Sequence, residues 1–119
     1  HVYVPRQCRQ GSSCRLHVAF HGCQQSQDQI GDAYYMRAGY NEWAESNGIV
    51  VLYPQTRAWS GSWFAPGSNP KACWDWWGYS GDHYHRKDGK QIRAVAAMIN
   101  ALLGADVLAT RVLKGSAAK

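Results

Sequence analysis

The chain has 119 residues, and thirteen Lys and Arg against eight Asp and Glu leave a formal net charge of +5 with neutral histidines. That length accommodates one domain at most. The basic residues are scattered, with only Arg86 and Lys87 adjacent, and no apolar run approaches the ~20 residues of a membrane span, so neither a nucleic acid nor a membrane is expected as a partner.

Taken in chain order, Val2 to Val4 reads as a short strand stopped by Pro5. Cys8 and Cys14 flank Arg-Gln-Gly-Ser-Ser. A local disulfide there would clip an antiparallel hairpin between Val2–Val4 and the run Arg15–Phe20. Leu16 to Phe20 reads as a buried strand that ends at His21-Gly22. A glycine just past a strand end lets the backbone turn sharply and come close to a ligand. In a hydrolase that is where a backbone N–H can face a developing oxyanion, although an ordinary turn between strand and helix reads the same way.

A helix is expected from about Asp32 to Asn47, with Met36, Tyr40 and Trp43 on one line, Asp32 as N-cap and Asn47-Gly48 as the stop. The strand Ile49–Tyr53 follows at once, which completes a right-handed βαβ unit. No periodicity holds from Pro54 to Asp88, a long loop rich in Gly, Pro, Ser, Asn and Trp. Such loops in compact domains are usually functional or disordered, and the aromatic content argues against disorder. Asp88-Gly-Lys-Gln91 matches a capping box. Ile92, Val95, Ala96, Ile99, Leu102 and Leu103 then mark an amphipathic helix stopped by Gly104.

Four cysteines, an even number, point to an oxidising compartment, secreted or periplasmic. With Cys8 and Cys14 paired locally, Cys23 and Cys73 are left to pair across the loops. Zinc is the competing use, with His17 or His21 as further ligands, but no Cys-x₂₋₄-Cys spacing exists. Disulfides are therefore expected, and neither a metal nor a cofactor.

His21-Gly-Cys23, Leu52-Tyr-Pro-Gln55 and Asn69-Pro-Lys-Ala-Cys-Trp-Asp-Trp76 together resemble the poly(3-hydroxybutyrate) depolymerase and related esterase family of α/β-hydrolases. The resemblance runs from about Val2 to Leu103. It implies an α/β fold built on a partial α/β-hydrolase sheet, an antiparallel hairpin plus one βαβ unit, with residues 1–119 as a single partial domain. That family cleaves esters with a Ser-His-Asp triad whose serine sits on a Gly-x-Ser-x-Gly elbow. No serine here fits: Ser80 lies in Gly78-Tyr-Ser-Gly-Asp82 with its second glycine one position early, and Ser116 lacks that glycine. The triad is therefore expected outside this chain, and the missing catalytic half of the hydrolase domain becomes an expected partner. The order of motifs fits either an ordinary N-terminal half or the C-terminal half of a circularly permuted enzyme. The tryptophan motif and the polar ending Lys114–Lys119 favour the second. A start at His1 reads as a processed or partial chain.

By position, the resemblance makes Cys23 the residue whose backbone N–H helps form the oxyanion hole, with its side chain tied to Cys73. Trp74 is then expected beside that site, with Trp76 and Trp77 continuing an aromatic wall, joined by Trp59, Trp63 and Phe64. Gln24 and Gln25, which follow the turn, are expected to line the pocket. The implied substrate is a hydroxyalkanoate polyester or a short-chain ester. Against the wall stands the plainer reading that some of these tryptophans fill the core under the loop. His21 is expected to order the turn, Asp75 to cap a turn or orient a side chain, and His83 and His85 to lie at the surface. The alternative for the whole chain is a small secreted Trp-rich module that binds carbohydrate or polymer without catalysis, since six Trp and seven Tyr suit stacking.

Overall fold

The computed structural model describes residues 1–61 and 67–104. Trp63, Phe64, Ser116 and the polar ending fall outside them. The elements in chain order are β1 (Val2–Tyr3), α1 (Arg6–Arg9), β2 (Arg15–Val18), α2 (Gln27–Ile30), α3 (Ala33–Arg37), α4 (Tyr40–Asn47), β3 (Ile49–Leu52) and α5 (Lys90–Leu103).

The most apolar strand takes the centre. In β3, Ile-Val-Val-Leu, three of four residues are buried, and β-branched side chains suit a pleated surface covered on both faces. Val50 packs with Cys8, Cys14, Val4, Leu16 and Leu102 on one side. Val51 and Tyr53 pack with Ala19, Ala44, Tyr3, Tyr34 and Tyr35, on the opposite side as the period of two requires. One face of the sheet thus meets α1 and the end of α5, and the other meets α3 and α4. Burial pushes the Tyr53 phenol up to about 12, helped by Tyr34 and Tyr40, and its hydroxyl donates to Asn41 Oδ1 at 2.7 Å.

The sheet order is β1-β3-β2, which corrects the expected hairpin. β1 pairs antiparallel with β3, Val2 opposite Leu52, and β2 pairs parallel with β3, Arg15 opposite Ile49 and Val18 opposite Leu52. The linker explains the difference. After Pro5 the chain makes the helical turn α1, and the Cys8–Cys14 disulfide closes that turn on itself. This carries the chain past one strand position, and β3 fills the gap. The parallel β2–β3 pair with helices between is the expected βαβ unit.

The single helix expected over Asp32–Asn47 is broken. Gly39, with φ 86°, separates α3 from α4, a left-handed conformation glycine adopts without penalty. Asp32 makes no side-chain cap, whereas Gly48 at φ 62° does end α4. The line Met36, Tyr40, Trp43 is not the buried face: Trp43 is 75% exposed, and Ala44 is the residue of α4 that is buried. The capping box at α5 is also corrected, because Gly89 is the N-cap and no side chain caps it. Gln91 is engaged elsewhere, accepting from the Asp75 N–H at 2.8 Å and donating to the Tyr79 hydroxyl at 2.5 Å. Of the apolar residues on α5, only Val95 is buried.

Candidate functional site

The site lies where β2 runs out. Ala19 N–H still bonds to the Leu52 carbonyl at 2.9 Å, and then the chain turns through His21–Gln25. Buried His21 (2% exposed) braces this turn. Its Nε2 takes the Thr56 backbone N–H at 3.2 Å, which makes Nδ1 the protonated nitrogen, and Nδ1 donates to the Gly22 carbonyl at 2.8 Å. The Thr56 hydroxyl donates in turn to the Ala72 carbonyl at 2.5 Å. His21 is thus committed to holding backbone.

The tight conformation falls on Gln24, with φ 60°, and not on Gly22, where the sequence placed it. Gln24 N–H bonds to the Lys71 carbonyl at 2.7 Å, and Gly22 N–H to Gln25 Oε1 at 2.7 Å. Between them, the exposed Cys23 has a backbone N–H with no acceptor among the described residues. Its sulfur is bonded to Cys73, with the Cα atoms 4.2 Å apart. All four cysteines form disulfides, and among the described residues no group of three His, Cys, Asp or Glu could hold a metal.

Trp74 follows Cys73 and sits over the turn, edge to face with Phe20 at 5.0 Å and tilted against the His21 ring at 5.6 Å. Phe20 and Trp74 form one wall of a cavity of about 600 Å³, and Tyr84, Ile92, Val95 and Ile99 form the others. The unburied side of α5 therefore has a use as cavity lining. Cys23 and Gln24 are at the turn and do not line this space; Trp76 and Trp77 pack edge to face on each other at 5.2 Å, with Trp76 72% exposed. The structure brings Cys23, Cys73 and Trp74 together, and places Trp76 and Trp77 further out on the same loop.

Asp75 shapes that loop. Oδ1 accepts the N–H groups of Trp77, Gly78 and Tyr79 at 3.2, 2.6 and 3.1 Å. Oδ2 accepts the Ser80 N–H and hydroxyl at 2.7 and 2.5 Å. Burial alone would raise this carboxyl, but the bonds from Ser80, Gly78 and Trp77 outweigh it and hold Asp75 below the usual carboxylate range. The turn-organising role read from the sequence is the one observed. His83 and His85 are exposed, and His83 Nδ1 meets Asp88 Oδ2 at 2.8 Å. Sequence reasoning missed Phe20 and the α5 residues as cavity lining, and missed Thr56, Asn69 and Gln91 as supports. Only Asn69 carried a signal, its place in the Asn-Pro-x-x-Cys-Trp motif.

In sequence and in its three-stranded α/β fold, the chain is similar to part of a group of homologous proteins. The homologues are poly(3-hydroxybutyrate) depolymerases. The chain is 41% identical over 101 residues to the poly(3-hydroxybutyrate) depolymerase of Delftia acidovorans, covering 83% of this chain and 19% of that one. It is 37% identical over 111 residues to the polyhydroxybutyrate depolymerase of Talaromyces funiculosus, covering 87% and 32%. The crystal structure of PHB depolymerase from Penicillium funiculosum superposes with a TM-score of 0.64 at 34% identity, over 92% of this chain and 34% of that one. A PHB depolymerase complexed with an R3HB trimer gives 0.63 at the same identity and coverage. No protein-family model matches the chain. The chain spans about a third or less of each of these relatives.

Proposed function

We propose that this chain is the oxyanion-hole segment of a secreted serine esterase acting on a hydroxyalkanoate polyester or a short-chain ester. The observation that carries the reading is the Cys23 N–H, which has no acceptor among the described residues and is held at a turn that a disulfide joins to the Trp74 loop. A serine supplied by the missing catalytic half attacks the ester carbonyl, activated by its histidine and aspartate. The carbonyl oxygen becomes negative in the tetrahedral intermediate, and the Cys23 N–H donates to it. One such donor is worth roughly 2.7–4 kcal/mol of barrier. Collapse of the intermediate breaks the ester C–O bond, the histidine giving its proton to the departing alcohol, and leaves an acyl-enzyme; water, deprotonated by the same histidine, then releases the acid and restores the serine. Phe20 and Trp74 offer apolar surface to the acyl chain, with Trp76, Trp77 and Gln24 at the periphery. The two disulfides fit an extracellular protein. Similarity to depolymerases favours this reading over a Trp-rich binding module.

The purified chain alone is expected to leave p-nitrophenyl butyrate intact, and its turnover by this chain would overturn the reading. Mixed with the part of the Talaromyces enzyme outside the matched region, it is expected to restore hydrolysis.

A further inference from the structure

The 69–73 turn that carries Cys73 is built around a buried amide. Asn69 is 1% exposed, and its side chain grips Cys73 on both flanks. Oδ1 accepts the Cys73 N–H at 2.8 Å, and Nδ2 donates to the Cys73 carbonyl at 2.8 Å. Nδ2 also donates to the Tyr79 hydroxyl at 2.9 Å, which itself donates to the Cys73 carbonyl at 2.8 Å. The clamp is anchored in turn. Asn69 pairs its own N–H and carbonyl with Trp59 at 2.6 and 2.9 Å, and its carbonyl also takes the Ala72 N–H at 3.2 Å. Ala72, wholly buried, is held in the left-handed region at φ 48°, a conformation that an alanine keeps only where its surroundings enforce it.

This 69–73 turn is tied to the His21–Gln25 turn by the Cys23–Cys73 disulfide, by Gln24 N–H on the Lys71 carbonyl, and by His21 through Thr56 to the Ala72 carbonyl. Shifting Cys73 therefore shifts Cys23. We propose that Asn69 is a positioning residue that sets the direction of the Cys23 N–H through Cys73 and the disulfide; this rests on the reading of that N–H as an oxyanion donor. An amide supplies a donor and an acceptor from one planar group to the two sides of one residue. A carboxylate would set an oxygen against the Cys73 carbonyl, and an apolar residue of the same size would leave the Cys73 N–H buried without an acceptor and its carbonyl with the Tyr79 hydroxyl alone.

The test is ¹⁵N relaxation on this chain, which needs no ester chemistry and so fails or succeeds apart from the esterase reading. In the unaltered chain the Cys23 N–H is expected to be rigid, with an order parameter near 0.85. In Asn69→Leu it is expected to fall below about 0.6, while the amides of Val50 and Val51 keep their values and mass spectrometry finds both disulfides intact. Asn69→Ser keeps an oxygen for the Cys73 N–H and drops the amide donor. It is expected to loosen Cys23 by a smaller amount, and it decides the matter if Asn69→Leu does not fold. Tyr79→Phe leaves both Asn69–Cys73 bonds and is expected to leave Cys23 rigid. A Cys23 N–H as rigid in the folded Asn69 variants as in the unaltered chain would overturn the proposal, as would equal loosening of Cys23, Val50 and Val51.

Discussion

The sheet with its helices and the loop from Pro54 to Gly89 are held together by different means. In the sheet, apolar side chains sort by strand parity onto two faces, and the strands pair backbone to backbone. In the loop the backbone has few regular partners, and side chains replace them: Asp75, Asn69, Gln91 and Thr56 collect the N–H and carbonyl groups that no strand or helix satisfies. Buried backbone polar groups must be paired, so a loop without secondary structure needs polar residues at particular places. The sheet tolerates any apolar side chain of about the right size; the loop tolerates few replacements at its polar anchors.

The sharpest test of this contrast compares the disulfides. Cys23–Cys73 closes a separation of 50 residues and fastens the loop to the end of β2, whereas Cys8–Cys14 spans only 6. In the chain-entropy model, replacing both cysteines by serine costs about 4 kcal/mol for the long bridge and about 2 kcal/mol for the short one. Urea unfolding of the two double variants checks this, and equal losses would break the comparison.

Asp75→Asn comes next, at about 2 kcal/mol, since hydrogen bonds to a charged group are the strong ones. Its pH dependence follows from the lowered carboxyl. With the folded value below the unfolded one, the stabilisation is complete above about pH 4 and is lost as pH falls through the folded value. Tryptophan fluorescence followed from pH 6 to pH 2 is expected to change at the acid end in the unaltered chain and to lose that step in Asp75→Asn. The smallest effect belongs to Trp43→Gln. A side chain 75% exposed on α4 is expected to contribute within about 0.5 kcal/mol. A loss above about 2 kcal/mol would return Trp43 to the core, where periodicity put it.

What could be read in advance divides along the same line. The strands β2 and β3, the parallel unit they form and the span of α5 follow from apolar runs and turn residues, because burial acts on every residue of a strand at once. The break at Gly39 was missed because the apolar spacing of Met36, Tyr40 and Trp43 runs straight across it. Strand order was missed because adjacency in sequence suggests a hairpin, while three-dimensional order depended on the most apolar strand claiming the middle. In the site, the motifs led to Cys23, Cys73 and Trp74. They did not lead to Phe20, Thr56 or Gln91, whose roles arise from partners 12 or more positions away, separations at which local pattern carries no information.

The central position of β3 also bears on how the chain acquires its shape during synthesis. Both partners of β3 precede it, and they touch it and not each other. At about 5–20 residues per second, the ribosome releases β1 and β2 some seconds before the strand that unites them. Until Ile49–Leu52 emerges, β1 and β2 lack the strand with which both pair among the described residues, while the Cys8–Cys14 turn has its two cysteines only 6 positions apart. Among the described residues, the nascent chain thus passes through an interval in which β1 and β2 wait for the one strand that joins them.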